Sequence, residues 1–427
     1  MRGANRRAWV VAAIAAAAYA VLSIARHRTF RSTGFDLGLF DQVVWHYARL
    51  ETPASTYKDL PSILRDHFSP ILAALVPFRL AFGTEGLLVA QALLVSAAAI
   101  PIFAFARRRI GEWPALAIAV AYLLFGGVQE AVWFDFHEVA FAPVLIALAI
   151  ERFDAGAHRA AYAASLALLL VKEDLALLVP FIALLFALQG HRRAGVALAA
   201  AGIAWFVIVT TFVTADYTDL GGFTDDPLTK ARTLAYLFGA FLFLSLRSRI
   251  ALLAVPLLAV RFLSDNPAYW TLEGHYSLTI APVLALAAAD AMPHPRLAYA
   301  TAAVAVALTP AFPLAELFRP AAYESKPGYA QAVADIPPGA PVTATNHLAP
   351  HLSGRRDVRL LGNGPPTGYV VAALDDPAPA ATFPFDGLDE LRAFVGELRD
   401  GGDQAVGVLG VVVVDEAAAD GAVGSEP

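Results

Sequence analysis

Leu168-Leu169-Leu170-Val171-Lys172-Glu173-Asp174-Leu175-Ala176-Leu177 places one cation and two acids between two apolar runs, 159–171 and 175–188. Read as a single helix, the stretch buries three charges near the middle of a bilayer, at a cost of several kcal/mol. That reading also sends Arg159 and Arg192 to opposite sides of the membrane. Read as two short helices meeting at a recessed polar turn, it keeps both arginines on one side. Irregular backbone at membrane depth is tolerated only where protein covers it or where it lines a water-filled cavity. The second reading is the better one, and it implies a cavity open to the outside.

Composition supports a membrane setting throughout. Of 427 residues 58% are hydrophobic and 16% charged, whereas soluble domains carry about 25% charged residues. The mean hydropathy is +0.58. A formal net charge of -6 argues against a nucleic-acid partner, which calls for a basic surface. Cysteine is absent, which removes disulfides, thiolate metal sites and a cysteine nucleophile. The basic head Met1 to Arg7 and the run Trp9 to Ala25 resemble a signal peptide. The run is long, however, and no small-residue cleavage site precedes Phe35, so it reads as a retained first span.

A span needs about 20 apolar residues. On that basis helices are expected near 8–25, 85–106, 113–132, 139–152, 159–171, 175–188, 195–214, 232–246, 250–265, 276–291 and 297–315. Arg107 to Arg109, Arg152, Arg159, Arg192, Arg193, Arg247, Arg249 and Arg296 then fall on one side, which the positive-inside rule makes cytoplasmic. Arg26, Arg28 and Arg31 follow the first span, so its own flanks do not orient it; the later loops do. Residues 26–83 become a long first external loop, with 62–82 an interfacial or re-entrant helix because Arg65-Asp66-His67, Pro70, Pro77 and Arg79 interrupt it.

After Pro320 the composition turns polar, with β-rich runs at 341–345, 357–361, 368–374 and 405–414 and helical spacing over 388–399. The expected fold is an all-α polytopic membrane protein of about eleven transmembrane helices, carrying a small external α/β domain. The transmembrane domain is 1–316, the α/β domain 317–416, and the tail 417–427 is expected to be disordered. The N-terminus is expected in the cytoplasm and the C-terminal domain outside the cell membrane.

Polar clusters share the external face: Asp36, Asp41 and Gln42; Asp66 and His67; Asp135, His137 and Glu138; Lys172, Glu173 and Asp174; and Glu273 with His275. On one helix Asp36 and Asp41 would stand about 140° apart at 100° per residue. A turn at Gly38 would instead aim both acids into one space. Carboxylates take a proton from an acceptor hydroxyl or hold a divalent metal cation, and Lys172 and Arg261 suit a phosphate. His67 and His137 beside aromatics also fit simple packed histidines. The spacing His347 to His351 contains Pro350 and lacks the glutamate of a zinc-hydrolase helix. Trp45, Trp133 and Trp270 fit an interfacial belt.

Five ordered motifs carry a family resemblance: Phe35-Asp36-Leu37-Gly38-Leu39-Phe40-Asp41-Gln42 with Trp45, His67-Phe68-Ser69-Pro70, Phe136-His137-Glu138, Lys172-Glu173-Asp174 and Gly274-His275-Tyr276. With Asn346 to Arg355, they resemble the predicted polytopic membrane proteins known as domain of unknown function 2079. The architecture is similar to that of the C-type-fold glycosyltransferases that depend on polyprenyl phosphate. That resemblance implies a sugar donor linked to polyprenyl phosphate, an acceptor of unstated chemistry, and an early acid in the first loop that activates the acceptor or binds metal. Asp36 takes that role, with Asp41 behind it. Substrate binding falls to His67, His137, Glu138, Lys172, Arg261 and His275, and a divalent metal cation to Asp36 with Glu173 and Asp174. The Asp-Glu or Glu-x-Asp pair of several such enzymes is absent from this loop. The alternative reading is a transporter or lipid-linked sugar flippase, for which broken helices and midplane charges are equally natural.

Overall fold

The structure is a computed structural model that describes residues 2–214, 221–401 and 408–414. The expected disordered tail lies outside the described residues. The chain forms two compact units. One, helical, comprises residues up to Leu22, Leu64–Ile71 and Val89–Phe318; the other comprises Ser23–Ile63, Leu72–Leu88 and the chain from Arg319 onward. The first loop is therefore divided: its His67 segment belongs to the helical unit, while its flanks join the C-terminal segment in the second. This grouping cuts across the linear division at residue 316.

Among the described residues three helices are long and apolar enough to cross a membrane: Arg6–Arg28, Glu85–Ile110 and Arg192–Phe212. Glu112–Leu123 and Gly126–Trp133 make a further span if their 41° bend is counted as one helix. Most of the other expected spans fall on shorter helices, several of them joined to 3₁₀ segments. Glu138–Phe141 leads into Ala142–Asp154, and Glu173–Leu177 into Val179–Leu188. At the deciding stretch, His158–Ala167 tightens into Leu168–Leu170 and the chain then breaks, with Lys172 extended at φ -161°, ψ 148°. Two helices do meet at a polar turn there.

The helix Ala281–Asp290 is buried on every side from Ala281 to Ala289. Its alanine-rich surface lets Ala99–Ile110, Glu112–Leu123 and Ala142–Asp154 pack closely around it. Arg192–Phe212 buries only Gly195, Leu198, Gly202 and Val209. A Cβ on Gly195 would meet Ala183 O at 2.9 Å, and one on Gly202 would meet Ala176 O at 3.0 Å. The rest of that helix exposes Val196, Ile203, Val207 and Phe212, a surface suited to lipid.

The second unit is built on a four-stranded parallel sheet of order β2-β1-β3-β4. Its strands are β1 (Val342–Ala344), β2 (Val358–Leu360), β3 (Gly368–Ala373) and β4 (Val408–Val414). All four expected strands and the helix Leu388–Arg399 form. That helix turns Leu391, Val395 and Leu398 onto Leu361, Val370, Ala372 and Leu374, the spacing of one apolar face.

Open parallel sheets bind ligands beyond the carboxyl ends of the strands where the strand order reverses. Here that point lies between β1 and β3, and the chain's own first loop is docked there. Gly34 N donates to Asn346 O at 2.7 Å and Phe35 N to Asn346 Oδ1 at 3.1 Å. Tyr57 Oη donates to Ala349 O at 2.8 Å, and Thr56 Oγ to Val358 O at 2.6 Å.

The turn considered at Gly38 does not form. Gly34–Gly38 is a widened helical turn running into the helix Leu39–Tyr47, and Gly38 is helical at φ -62°. The glycines serve close approach instead: a Cβ would meet Ala349 Cβ at 2.6 Å from Gly34, and Tyr57 Oη at 2.8 Å from Gly38. Gly34→Ala should lower the melting temperature, with an overpacking cost of about 1–3 kcal/mol. Gly396→Ala, in open space on an exposed helix, should raise stability by up to about 1 kcal/mol. Thermal unfolding of the two variants in detergent reads both signs.

Candidate functional site

The polar turn at Lys172 is the centre of a connected group of side chains in the helical unit. Lys172 is buried, and its Nζ stands 3.2 Å from Glu138 Oε1. Glu138 is delivered by a second break. There Asp135 takes φ 80°, a conformation most side chains avoid. Gln91 clamps this turn, donating to Asp135 O at 2.6 Å and accepting from His137 N at 3.0 Å. Glu173 points the other way. It accepts from Phe68 N at 2.8 Å and lies 3.2 Å from His67 Nδ1, so the first-loop motif His67-Phe68 caps this acid.

Lys172 and Asp174 form one wall of a cavity of about 50 Å³ whose other walls include Arg261, Tyr269, His275 and Tyr276. Asp174 Oδ1 is buried with no hydrogen-bond partner among the described residues, as is His275 Nδ1. His275 stacks on His137 with ring centroids 3.8 Å apart, and Tyr269 lies 4.1 Å from Tyr276.

Arg261 is 2% exposed. It donates to the carbonyl oxygens of Tyr269 and Thr271 and, at 3.0 Å, to Ser277 Oγ. All of these acceptors are neutral. Among the described residues no carboxylate pairs with Arg261, so a buried positive charge lines the cavity without an anion of its own. Burial of that kind is costly unless an anion completes it.

The structure thus connects His67, His137, Glu138, Lys172, Glu173, Asp174, Arg261 and His275 in one unit. Asp36 and Asp41 belong to the other unit, each with separate partners. Asp36 accepts from Thr33 Oγ at 2.9 Å. Asp41 is fully buried and takes Arg79 Nε at 3.1 Å, Thr84 Oγ at 3.2 Å and Ser353 Oγ at 2.7 Å. An acid so enclosed ties three segments together.

Among the described residues no three His, Asp or Glu side chains stand together to hold a metal ion, and Glu173 commits both oxygens to the His67-Phe68 segment. His347 and His351 also part company: His347 Nδ1 lies 3.1 Å from Asp376, and His351 stacks on His27 at 4.1 Å. Sequence reasoning missed Gln91, Tyr269 and Tyr276. Tyr276 stood inside the quoted Gly274-His275-Tyr276 motif; nothing local marked the other two.

Solved structures of a membrane protein share this fold. ArnT from Cupriavidus metallidurans in the apo state superposes with a TM-score of 0.57 at 13% identity, over 96% of this chain and 93% of that one. ArnT from the same organism bound to undecaprenyl phosphate gives 0.52 at 16% identity, over 88% and 87%. At these identities the likeness is one of fold. Residues 26–222 and 216–367 match the family described as Predicted membrane protein (DUF2079), and the chain belongs to that family. No curated protein matches it.

Lys172→Met leaves Glu138 buried without its cation, which typically costs about 3–5 kcal/mol. Unfolding in detergent should show that loss, and Lys172→Met with Glu138→Gln should recover much of it. Equal stability of the single variant and the parent would show that Lys172 and Glu138 do not depend on each other.

Proposed function

We propose that this chain is a glycosyltransferase-like membrane enzyme that transfers a sugar from a polyprenyl-phosphate donor to an acceptor at the outer face. The observation that carries this reading is Arg261, a buried cation with only neutral partners on a cavity that it shares with Lys172. A phosphate is the anion that would complete Arg261, with Lys172, already paired with Glu138, on the same cavity. The fold likeness to ArnT, one of whose structures holds undecaprenyl phosphate, supports a lipid phosphate as that anion.

In the proposed reaction the acceptor hydroxyl attacks the anomeric carbon. The bond from that carbon to the phosphate oxygen breaks, and the polyprenyl phosphate leaves with the electron pair. Lys172 and Arg261 stabilise the charge that develops on it, and a carboxylate takes the hydroxyl proton. The family resemblance assigns that carboxylate to Asp36. Within the helical unit, Asp174 lines the cavity with an oxygen that has no hydrogen-bond partner among the described residues. Room for a water or two is less than a sugar phosphate needs, so the donor must displace the cavity walls. Tyr269 and Tyr276 stand on the stretch 265–280, which is without α-helix.

This reading also requires sidedness: about eleven crossings, a cytoplasmic N-terminus and the α/β unit outside. Reporter fusions at Gln189 and Gly339 should therefore give opposite signals. Matching signals would remove the shared outer face.

The chemical test follows donor consumption by the full-length protein in nanodiscs. Losing a general base costs about 10²–10⁴ in rate, so Asp36→Asn should fall by that much while the protein stays folded and inserted. Asp174→Asn falls equally if it, rather than Asp36, receives the proton. Asp226→Asn, which alters an exposed helix cap, is the control. If both acids prove replaceable, or no polyprenyl-phosphate sugar is consumed, the transporter or flippase reading takes over.

A further inference from the structure

A second cavity, of about 440 Å³, opens in the helical unit among the arginine-bearing turns, with a lining that shares no residue with the Lys172 cavity. Its apolar wall comes from Phe105, Ile150, Phe153, Leu185, Phe186 and Leu188. Its polar wall carries Arg109, Asp154, Asp290 and the turn Arg247-Ser248-Arg249. The acids here are already neutralised. Arg109 reaches Asp290 Oδ1 at 2.9 Å and Asp154 Oδ1 at 2.7 Å, Arg108 adds a 2.7 Å bond to Asp154, and Ser248 Oγ donates to Asp290 at 2.6 Å.

Arg247 and Arg249 are left over. Both are exposed, and neither has a carboxylate or hydrogen-bond partner for its side chain among the described residues. Two uncompensated guanidinium groups beside an apolar cavity call for a ligand with an anionic head and a hydrocarbon body. The surroundings suit such a body: Leu184, Leu188, Leu246 and Leu252 are at least 40% exposed, so the cavity mouth adjoins a lipid-compatible surface. Arginine matches phosphate oxygens through its fork of N–H donors, and basic pockets between spans are where anionic lipid head groups bind.

We propose that this cavity binds an anionic phospholipid, its phosphodiester on Arg247 and Arg249 and an acyl chain against Phe153, Leu185 and Leu188. The site uses none of the residues assigned to sugar transfer, so it stands whether or not that reading holds. Both arginines are exposed and unpaired, and replacing them should leave the fold intact.

The test delipidates the full-length protein in a zwitterionic detergent and titrates it with dioleoyl phosphatidylglycerol, dioleoyl phosphatidylcholine or inorganic phosphate. Thermal stability and bound lipid by native mass spectrometry are the readouts. Phosphatidylglycerol should bind and raise the melting temperature, while phosphatidylcholine with the same chains should do so far more weakly. Arg247→Ala with Arg249→Ala should weaken phosphatidylglycerol binding by roughly 10- to 30-fold without lowering the lipid-free melting temperature. An equal response to inorganic phosphate would replace the lipid with a simple anion site. Equal binding of the two lipids, or undiminished phosphatidylglycerol binding by the double variant, would overturn the proposal.

Discussion

The ion pair between Lys172 and Glu138 is the constraint around which the helical unit is arranged. An ammonium group taken out of water must meet a carboxylate or lose its charge. Two separate helix breaks supply the two partners, one after Leu168–Leu170 and one ahead of Glu138–Phe141. Once those breaks are set, the neighbouring acids need partners as well. Glu173 takes the His67-Phe68 segment, which draws a piece of the first loop into this unit. Asp174 and Arg261 are left incomplete beside this turn, and both face the same small cavity. A charge left open inside a fold gains most from a ligand that completes it.

Local features were the legible part of the sequence. The polar triplet at Lys172 announced its own helix break because three charges cannot continue an apolar span. The C-terminal strands were readable because runs such as Gly368 to Leu374 hold Tyr369, Val370 and Val371 between glycine and proline. The helix Leu388–Arg399 was readable from the spacing of its leucines and Val395. Distant partnerships were not. Nothing near Asp41 says that Ser353 will hydrogen-bond to it, and nothing near Gly38 says that Tyr57 will pack so close that a side chain is excluded. Gly38 looked like a turn because glycine is permissive, whereas its small size was what the packing required. The same limit hid Gln91, whose importance lies in holding a backbone turn more than 40 residues away.

The two cavities differ in how charge is handled. Around Arg109 the acids and bases balance side by side, leaving spare arginines at an exposed rim. Around Arg261 the uncompensated charge is buried. Exposed cations attract ligands at modest strength and are weakened by salt. A buried one discriminates more sharply, since the wrong ligand leaves it desolvated and unpaired.

The docking of Gly34 and Phe35 on Asn346 bears on how the protein is made. The Phe35 contact joins residues 311 positions apart, and β4, at the edge of the sheet, ends at Val414. During synthesis the first loop leaves the ribosome long before the strand that will hold it exists. Until then Asp41 lacks Ser353, and Gly34 has no surface to rest on. Contacts so far apart in the chain form late and slowly, and waiting segments are exposed to misassembly. A ribosome that stops short of residue 340 leaves the first loop without its sheet, however well the helices have inserted. Quality control that senses the unfinished loop would therefore act on the beginning of the chain to report on its end.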